Sequence, residues 1–300
     1  MSWTVEERNV QFGEYETWVR ISQPDNPRPE MSPVFVLHGG PGMAHNYMLP
    51  FEQLAADGRT VIHYDQLGCG NSTHLPEADA SFWTPSLFVA EFFNLIEAFG
   101  FDRYHLAGQS WGGMLTAEIA VRQPEGLRSL SILNSPASME LWRAAAARLR
   151  SELPDGMDAQ MRRYEESGQT SAPEYLTCVA EFYRRHVCMT EPTPQVFLDS
   201  EAQMEAEPTV YHTMNGPNEF HVIGTLRSWS IIDRLPQINR PALVLAGEHD
   251  EATPETWQSY IDGIAQVESV VVEGASHCAH LEKPDVVLAA VGRFLADHDE

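Results

Sequence analysis

The sequence predicts an α/β architecture: a mostly parallel central sheet flanked by helices, with an all-helical segment inserted late. Three observations carry this. Short apolar runs bounded by Gly, Pro or Asp alternate with segments of helical period, the alternation stops after Asn134, and it resumes at Ala242. Pro33–Leu37 (PVFVL) and Thr60–Tyr64 (TVIHY) read as buried strands. Phe88, Phe92, Leu95 and Phe99 fall at helical spacing, Thr84-Pro85 suits an N-cap and first turn, and Gly100 suits a helix stop. Tyr104–Ala107 is then a strand, Gly112–Arg122 a helix and Leu127–Leu133 a strand, an order that implies parallel pairing with helices on both faces. From Ser135 to Leu235 the chain reads as helices rich in Ala, Arg and Glu. A strand–helix–strand crossover needs only about 30 residues, so this stretch is an insertion. Ala242–Ala246 and Val267–Val272 resume the strands, and a last amphipathic helix follows Pro284 with Val287, Val291 and Phe294 on one face. Gln23–Pro33, with four prolines, reads as a loop. The expected division is a sheet domain over 1–134 and 236–300 and a helical cap over 135–235.

Composition narrows the function classes. The 300 residues are 43% hydrophobic and 10% aromatic, enough for a large core. Nineteen basic residues against 43 acidic ones give a net charge of -24, and Lys283 is the sole lysine. Nucleic acid is excluded as a partner, because phosphate binding rests on Lys and Arg displacing counterions. An anionic membrane surface is excluded for the same reason of charge. No apolar run approaches the roughly 18 residues of a membrane span. Met1–Arg8 has no basic region followed by an apolar stretch, so no secretory leader is expected. Cys69, Cys178, Cys188 and Cys278 form neither a metal-type cluster nor a disulfide scaffold. The expectation is a soluble, cytoplasmic globular protein.

The strongest chemical signal is Gly108-Gln-Ser110-Trp-Gly112, set between a predicted strand and a predicted helix. That context makes it a nucleophile elbow, a sharp turn that presents the serine hydroxyl at the carboxyl edge of the sheet. A serine nucleophile needs a base, and the base an orienting acid, each on a loop after a late strand. Asp250 follows Ala242–Ala246 and His277 follows Val267–Val272. His280 competes for the base role; His277 is preferred because it sits nearer the strand end. His277 and His280 as zinc ligands lack a third partner. After the first buried strand comes His38-Gly-Gly-Pro-Gly42, a loop placed to supply one oxyanion donor, with Gly40 the candidate. Trp111, which follows the nucleophile, is the candidate for the second backbone N–H; its ring either lines the acyl pocket or joins the core. Cys69 and Cys278 read as small packing residues, and Arg184-Arg185 as a solvated face.

His38-Gly-Gly-Pro-Gly42, Tyr64-Asp-Gln-Leu-Gly-Cys-Gly-Asn-Ser72 and Gly108-Gln-Ser-Trp-Gly-Gly113 together resemble the proline iminopeptidase branch of the α/β-hydrolases, and Asn215-Gly-Pro-Asn-Glu-Phe220 extends the match into the cap. That branch includes prolyl aminopeptidases, the tricorn-interacting aminopeptidase and L-amino-acid amidases. The resemblance implies the α/β-hydrolase fold and two carboxylates that hold the substrate's free amino group, at Glu219 and Glu251 here, with Tyr211 a further contact near the amine. It implies a serine hydrolase that cleaves the amide bond after an N-terminal amino acid through an acyl-enzyme, with no metal and no organic cofactor. The partner is a small molecule or short peptide with a free N-terminal amine. The leaving group stays open: a peptide, ammonia, or an aminoacyl-capped biosynthetic intermediate. Two rivals remain, an esterase or thioesterase of the same fold and a non-catalytic receptor built on it.

Overall fold

A computed structural model describes residues 2–299. Eight strands form one sheet in the order β1-β2-β4-β3-β5-β6-β7-β8. They are β1 (Trp3–Phe12), β2 (Tyr15–Pro24), β3 (Val34–Leu37), β4 (Val61–Tyr64), β5 (Tyr104–Gln109), β6 (Leu127–Leu133), β7 (Ala242–Gly247) and β8 (Val267–Val272). β1 pairs antiparallel with β2, and β2 antiparallel with β4. From β4 to β8 all pairing is parallel. The two runs read first from the sequence are fully buried because both of their faces are covered. Phe35, Leu37, Ile62 and Leu106 face one apolar cluster, while Val34, Val36, Val61 and Ala107 face the other. Side chains alternate with period two, so a strand covered on both faces is largely apolar, and the polar exception, His63 in β4, is bonded through Nε2 to the Met48 carbonyl at 2.9 Å.

Helix α1 (Pro85–Phe99) has the expected boundaries: the Thr84 side chain accepts from the Leu87 N–H, and Gly100 takes the left-handed conformation at φ 67°. It lays Phe88, Phe92 and Leu95 on the first face. A 3-10 stretch over His45–Asp57 covers the second with Tyr47, Met48, Phe51 and Leu54, alongside the C-terminal helix, Pro284–Ala296.

The N-terminal hairpin departs from expectation. β1 and β2, ten residues each, were not anticipated, and β2 reaches Pro24, so the loop expected from Gln23 begins at Asp25. Six consecutive residues of β1, Thr4–Asn9, are exposed, which removes the apolar alternation by which an edge strand is recognised.

α2 (Trp111–Ala120) follows β5 directly, and between β6 and β7 the chain is helical. That segment contains α3 (Met139–Ser151), α4 (Met157–Glu166), α5 (Pro173–His186), α6 (Gln195–Ala206) and α7 (Thr209–Met214). Its extended pairing among the described residues is a single bridge between Ser138 and Ser230. α8 (Pro254–Gly263) lies between β7 and β8. No helix among the described residues is long and apolar enough to cross a membrane.

Candidate active site

The carboxyl ends of β5, β7 and β8 and the loop after β3 bring the sequence-predicted residues to one place. Ser110 stands between β5 and α2 with φ 56° and ψ -121°, a conformation a non-glycine residue holds only when its surroundings enforce it. The flanking glycines are part of that enforcement. A Cβ on Gly108 would lie 2.1 Å from the Gly112 carbonyl oxygen, and one on Gly112 would lie 2.1 Å from the Leu37 carbonyl oxygen. The elbow is tied to the next strand by the Ser110 N–H, which donates to the Leu133 carbonyl at 2.9 Å, and by the Ser135 hydroxyl, which donates to the Ser110 carbonyl at 2.7 Å.

Asp250 and His277 meet as expected, with His277 Nδ1 2.8 Å from Asp250 Oδ1. Asp250 is fully engaged: Oδ1 also accepts from the Ala252 N–H at 2.7 Å, and Oδ2 accepts from Asn134 Nδ2 at 2.6 Å. Burial opposes a charge on His277, but the Asp250 carboxylate, helped by Glu219, raises its pKa above the usual histidine value. His280 makes none of these contacts. Its Nε2 bonds the Tyr47 carbonyl at 3.0 Å, and burial pushes its pKa down to about 3. Among the described residues no group of three or more His, Cys, Asp or Glu side chains could hold a metal ion.

The loop after β3 is locked by two side chains that sequence reasoning did not single out. Gln66 donates from Nε2 to the His38 carbonyl at 2.9 Å and accepts from the Trp111 indole at 2.8 Å, which couples the loop to the elbow. The Gly39 N–H donates to the Tyr47 hydroxyl, which donates to Gln109 Oε1, each at 2.6 Å. Gln109 Nε2 donates onward to the His277 carbonyl at 3.1 Å. Among the described residues no protein group accepts from the Gly40 or Trp111 backbone N–H. The Trp111 ring is 1% exposed and belongs to the core, and it also lines the pocket.

The three residues that the resemblance supplied lie beside these. Glu219 Oε1 accepts from the Tyr211 hydroxyl at 2.7 Å. The Glu219 backbone is pinned by the Trp142 indole, which donates to its carbonyl at 2.8 Å, and by the Tyr183 hydroxyl, which accepts from its N–H at 3.3 Å. Glu251 is 1% exposed, and neither carboxylate oxygen has a hydrogen-bond partner. Its Oε1 lies 4.0 Å from His277 Nε2. Burial, then Glu219 and Asp250, push the Glu251 pKa well above the ordinary carboxyl value, and burial raises that of Glu219 as well.

Two lobes of one pocket meet at Gly40, Ser110 and Glu219. The first is walled mainly by Trp111, Met114, Met139, Trp142 and Leu226. The second contains His277 together with Tyr183, Glu201, Met204 and Tyr211. A serine in the pocket wall, an oriented imidazole, free N–H donors and buried carboxyls with no cation beside them can together attack a carbonyl adjoining a cation.

Residues 34–290 match the alpha/beta hydrolase family. The proline iminopeptidase of Lactobacillus helveticus (strain DPC 4571) is 35% identical over 297 residues, which span 98% of this chain and 99% of the relative. Among solved structures, the proline iminopeptidase of Mycobacterium smegmatis is 62% identical with a TM-score of 0.93, covering 98% of this chain and 99% of that one. VinJ is 45% identical with a TM-score of 0.95 over the same shares of both chains. The chain belongs to the proline iminopeptidase branch of the α/β-hydrolase family.

Proposed function

We propose that this protein is a serine amidase that removes an N-terminal amino acid bearing a free α-amino group. The observation that carries the reading is Glu251: a carboxyl group 1% exposed, with both oxygens unpartnered, 4.0 Å from His277. A buried carboxylate without donors is costly, and an ammonium group offsets that cost with charge and hydrogen bonds together. Glu219 supplies the second negative charge, oriented by Tyr211.

The substrate's carbonyl then sits over Ser110. His277 takes the Ser110 proton as the oxygen attacks, and Asp250 holds the ring and stabilises the imidazolium. The Gly40 and Trp111 N–H groups receive the oxyanion. Gly39 is not a donor in this scheme, because its N–H is spent on Tyr47. His277 protonates the leaving amine, and a water molecule, activated by the same ring, releases the amino acid from the acyl-enzyme. The helical segment over 135–235 acts as a cap, bringing Glu219 and Tyr211 over the sheet edge.

The test is a pair of substrates. An aminoacyl p-nitroanilide with a free amine is expected to turn over and its N-acetylated form is not. Efficient cleavage of the N-acetylated form overturns the reading in favour of an esterase-type pocket. Failure of a fluorophosphonate to label Ser110 overturns the serine mechanism itself.

A further inference from the structure

The two lobes cannot serve the same part of a substrate. When a tetrahedral adduct on Ser110 collapses, the C–N bond breaks, its electron pair leaves with nitrogen, and that nitrogen takes the proton held on His277. The departing nitrogen must therefore point toward His277, which lines the second lobe and not the first. The apolar lobe is left for the side chain of the amino acid.

Glu201, on α6, stands in the wall of the His277 lobe. Its carboxyl is offset by no hydrogen bond or cation; burial, then Glu205 and Glu219, hold its pKa up to about 7. Tyr183, Glu201, Met204 and Tyr211 are shared with a further cavity of about 230 Å³ walled by α5, α6 and α7, which gives a leaving group room to extend. No Lys or Arg lines either space. A dipeptide's leaving amine carries a free carboxylate two bonds from its nitrogen. In this lobe that carboxylate meets Glu201 with no cation to offset it, since Glu219 is taken up by the substrate's ammonium in the reading above. A leaving amine that is neutral, or that bears a second ammonium, meets no such repulsion.

We infer that the His277 lobe is the leaving-group subsite and that Glu201 sets its charge preference, so that aminoacyl amides with a neutral or cationic leaving amine are taken in preference to dipeptides. This rests on the amine-anchored amidase reading above.

The experiment holds the acyl residue constant, using the amino acid whose p-nitroanilide is cleaved fastest. At pH 8, kcat/KM is measured for three of its derivatives: the dipeptide with glycine, the C-terminal amide of that dipeptide, and the monoamide of ethylenediamine. The wild-type order is ethylenediamine amide, then glycinamide, then dipeptide, with about tenfold or more between the last two. In Glu201→Gln the spread among the three narrows, and in Glu201→Lys the dipeptide becomes the preferred substrate. Because ratios are read, a fraction of unfolded variant does not alter the result. A wild type that takes the dipeptide as well as the glycinamide overturns the proposal, as does a spread that survives in Glu201→Gln. If no free-amine anilide is cleaved while Ser110 is still labelled by a fluorophosphonate, the amidase reading falls first and this proposal with it.

Discussion

Asp250 and Glu251 are adjacent in the chain and almost equally buried, at 3% and 1% exposed, yet their surroundings are opposite. Asp250 receives Asn134, Ala252 and His277. Glu251 receives no hydrogen bond, and the nearest acids, Glu219 and Asp250, repel its charge. A buried ionised carboxyl without donors is among the costlier features a fold can carry. Asp250, on the sheet edge with His277 and Ser110, is thus satisfied by internal hydrogen bonds. Glu251, on the proposed amine side, is not, and in the proposed function the substrate's ammonium completes it. In that function, the half that performs the chemistry is fixed by internal hydrogen bonds, and affinity for a charged substrate is held in reserve as an unsatisfied carboxyl.

The strongest ways to break this comparison act on the completed half. Ser110→Ala lowers kcat by about 10⁴- to 10⁶-fold, the range seen when a serine nucleophile is removed, with the fold intact by circular dichroism. His277→Ala is nearly as damaging, and His280→Ala far milder, since His280 bonds only the Tyr47 carbonyl. The reverse ranking of the two histidine variants overturns the base assignment. Asp250→Asn keeps the side chain's size but disturbs the His277 tautomer, and lowers kcat by about 10⁴-fold. A loss under tenfold there means the His277–Asp250 contact is structural.

Next come substitutions in the incomplete half, where activity and stability move in opposite directions. Glu219→Gln and Glu251→Gln each leave a substrate ammonium short of one charge, which costs about 2–4 kcal/mol, or roughly 30- to 1000-fold in kcat/KM. The loss falls on free-amine substrates and spares small neutral esters; equal losses on both make the carboxylates structural. Glu251→Gln raises stability by about 1 kcal/mol at pH 8, because it removes an uncompensated buried charge. The pH dependence has a definite sign. The Glu251 pKa is raised on folding, so the native state binds more protons than the unfolded state between the ordinary carboxyl value and the raised one. Its contribution is favourable below that window and is lost as pH rises through it. The advantage of Glu251→Gln in urea denaturation therefore grows from pH 5 to pH 8, and a constant or shrinking advantage contradicts the burial of an ionisable Glu251.

The same division marks what could be read from the sequence. The parallel strands were legible because β3, β4 and β7, buried throughout, are short and mostly apolar runs bounded by turn residues, and the elbow because Gly108 and Gly112 admit no Cβ. β1 was not, since its exposed polar face carries no period. Asn134 could have been suspected, standing at the carboxyl end of β6 where β5 and β7 end in site residues. Gln109, Tyr47 and Gln66 act through hydrogen bonds between segments far apart in the chain, and no local pattern announces them. Glu219 and Glu251 were reached by resemblance alone. In a chain with 43 acidic residues, charge by itself does not single out Glu219 and Glu251.

The smallest effect tests the one hydrogen bond given to a carboxyl of the proposed amine pair among the described residues. Tyr211 donates its hydroxyl to Glu219 Oε1 at 2.7 Å, from α7 just ahead of the Asn218-Glu-Phe220 turn. That hydrogen bond favours the ionised form of Glu219, against the burial that raises its pKa. Tyr211→Phe removes the hydroxyl and keeps the ring, which is 3% exposed, so packing is retained. Glu219 then ionises less readily and is free to rotate, and a hydrogen bond to a charged group is worth about 1.5–3 kcal/mol. Glu251 still faces the amine, so only part of that value is lost, and kcat/KM on a free-amine substrate falls about 3- to 10-fold. The discriminating measurement is the double variant Tyr211→Phe with Glu219→Gln. If Tyr211 acts through the Glu219 charge, the second change adds little to Glu219→Gln alone. If the two losses multiply, Tyr211 meets the substrate directly, and its hydroxyl belongs with the amine-binding groups rather than behind them.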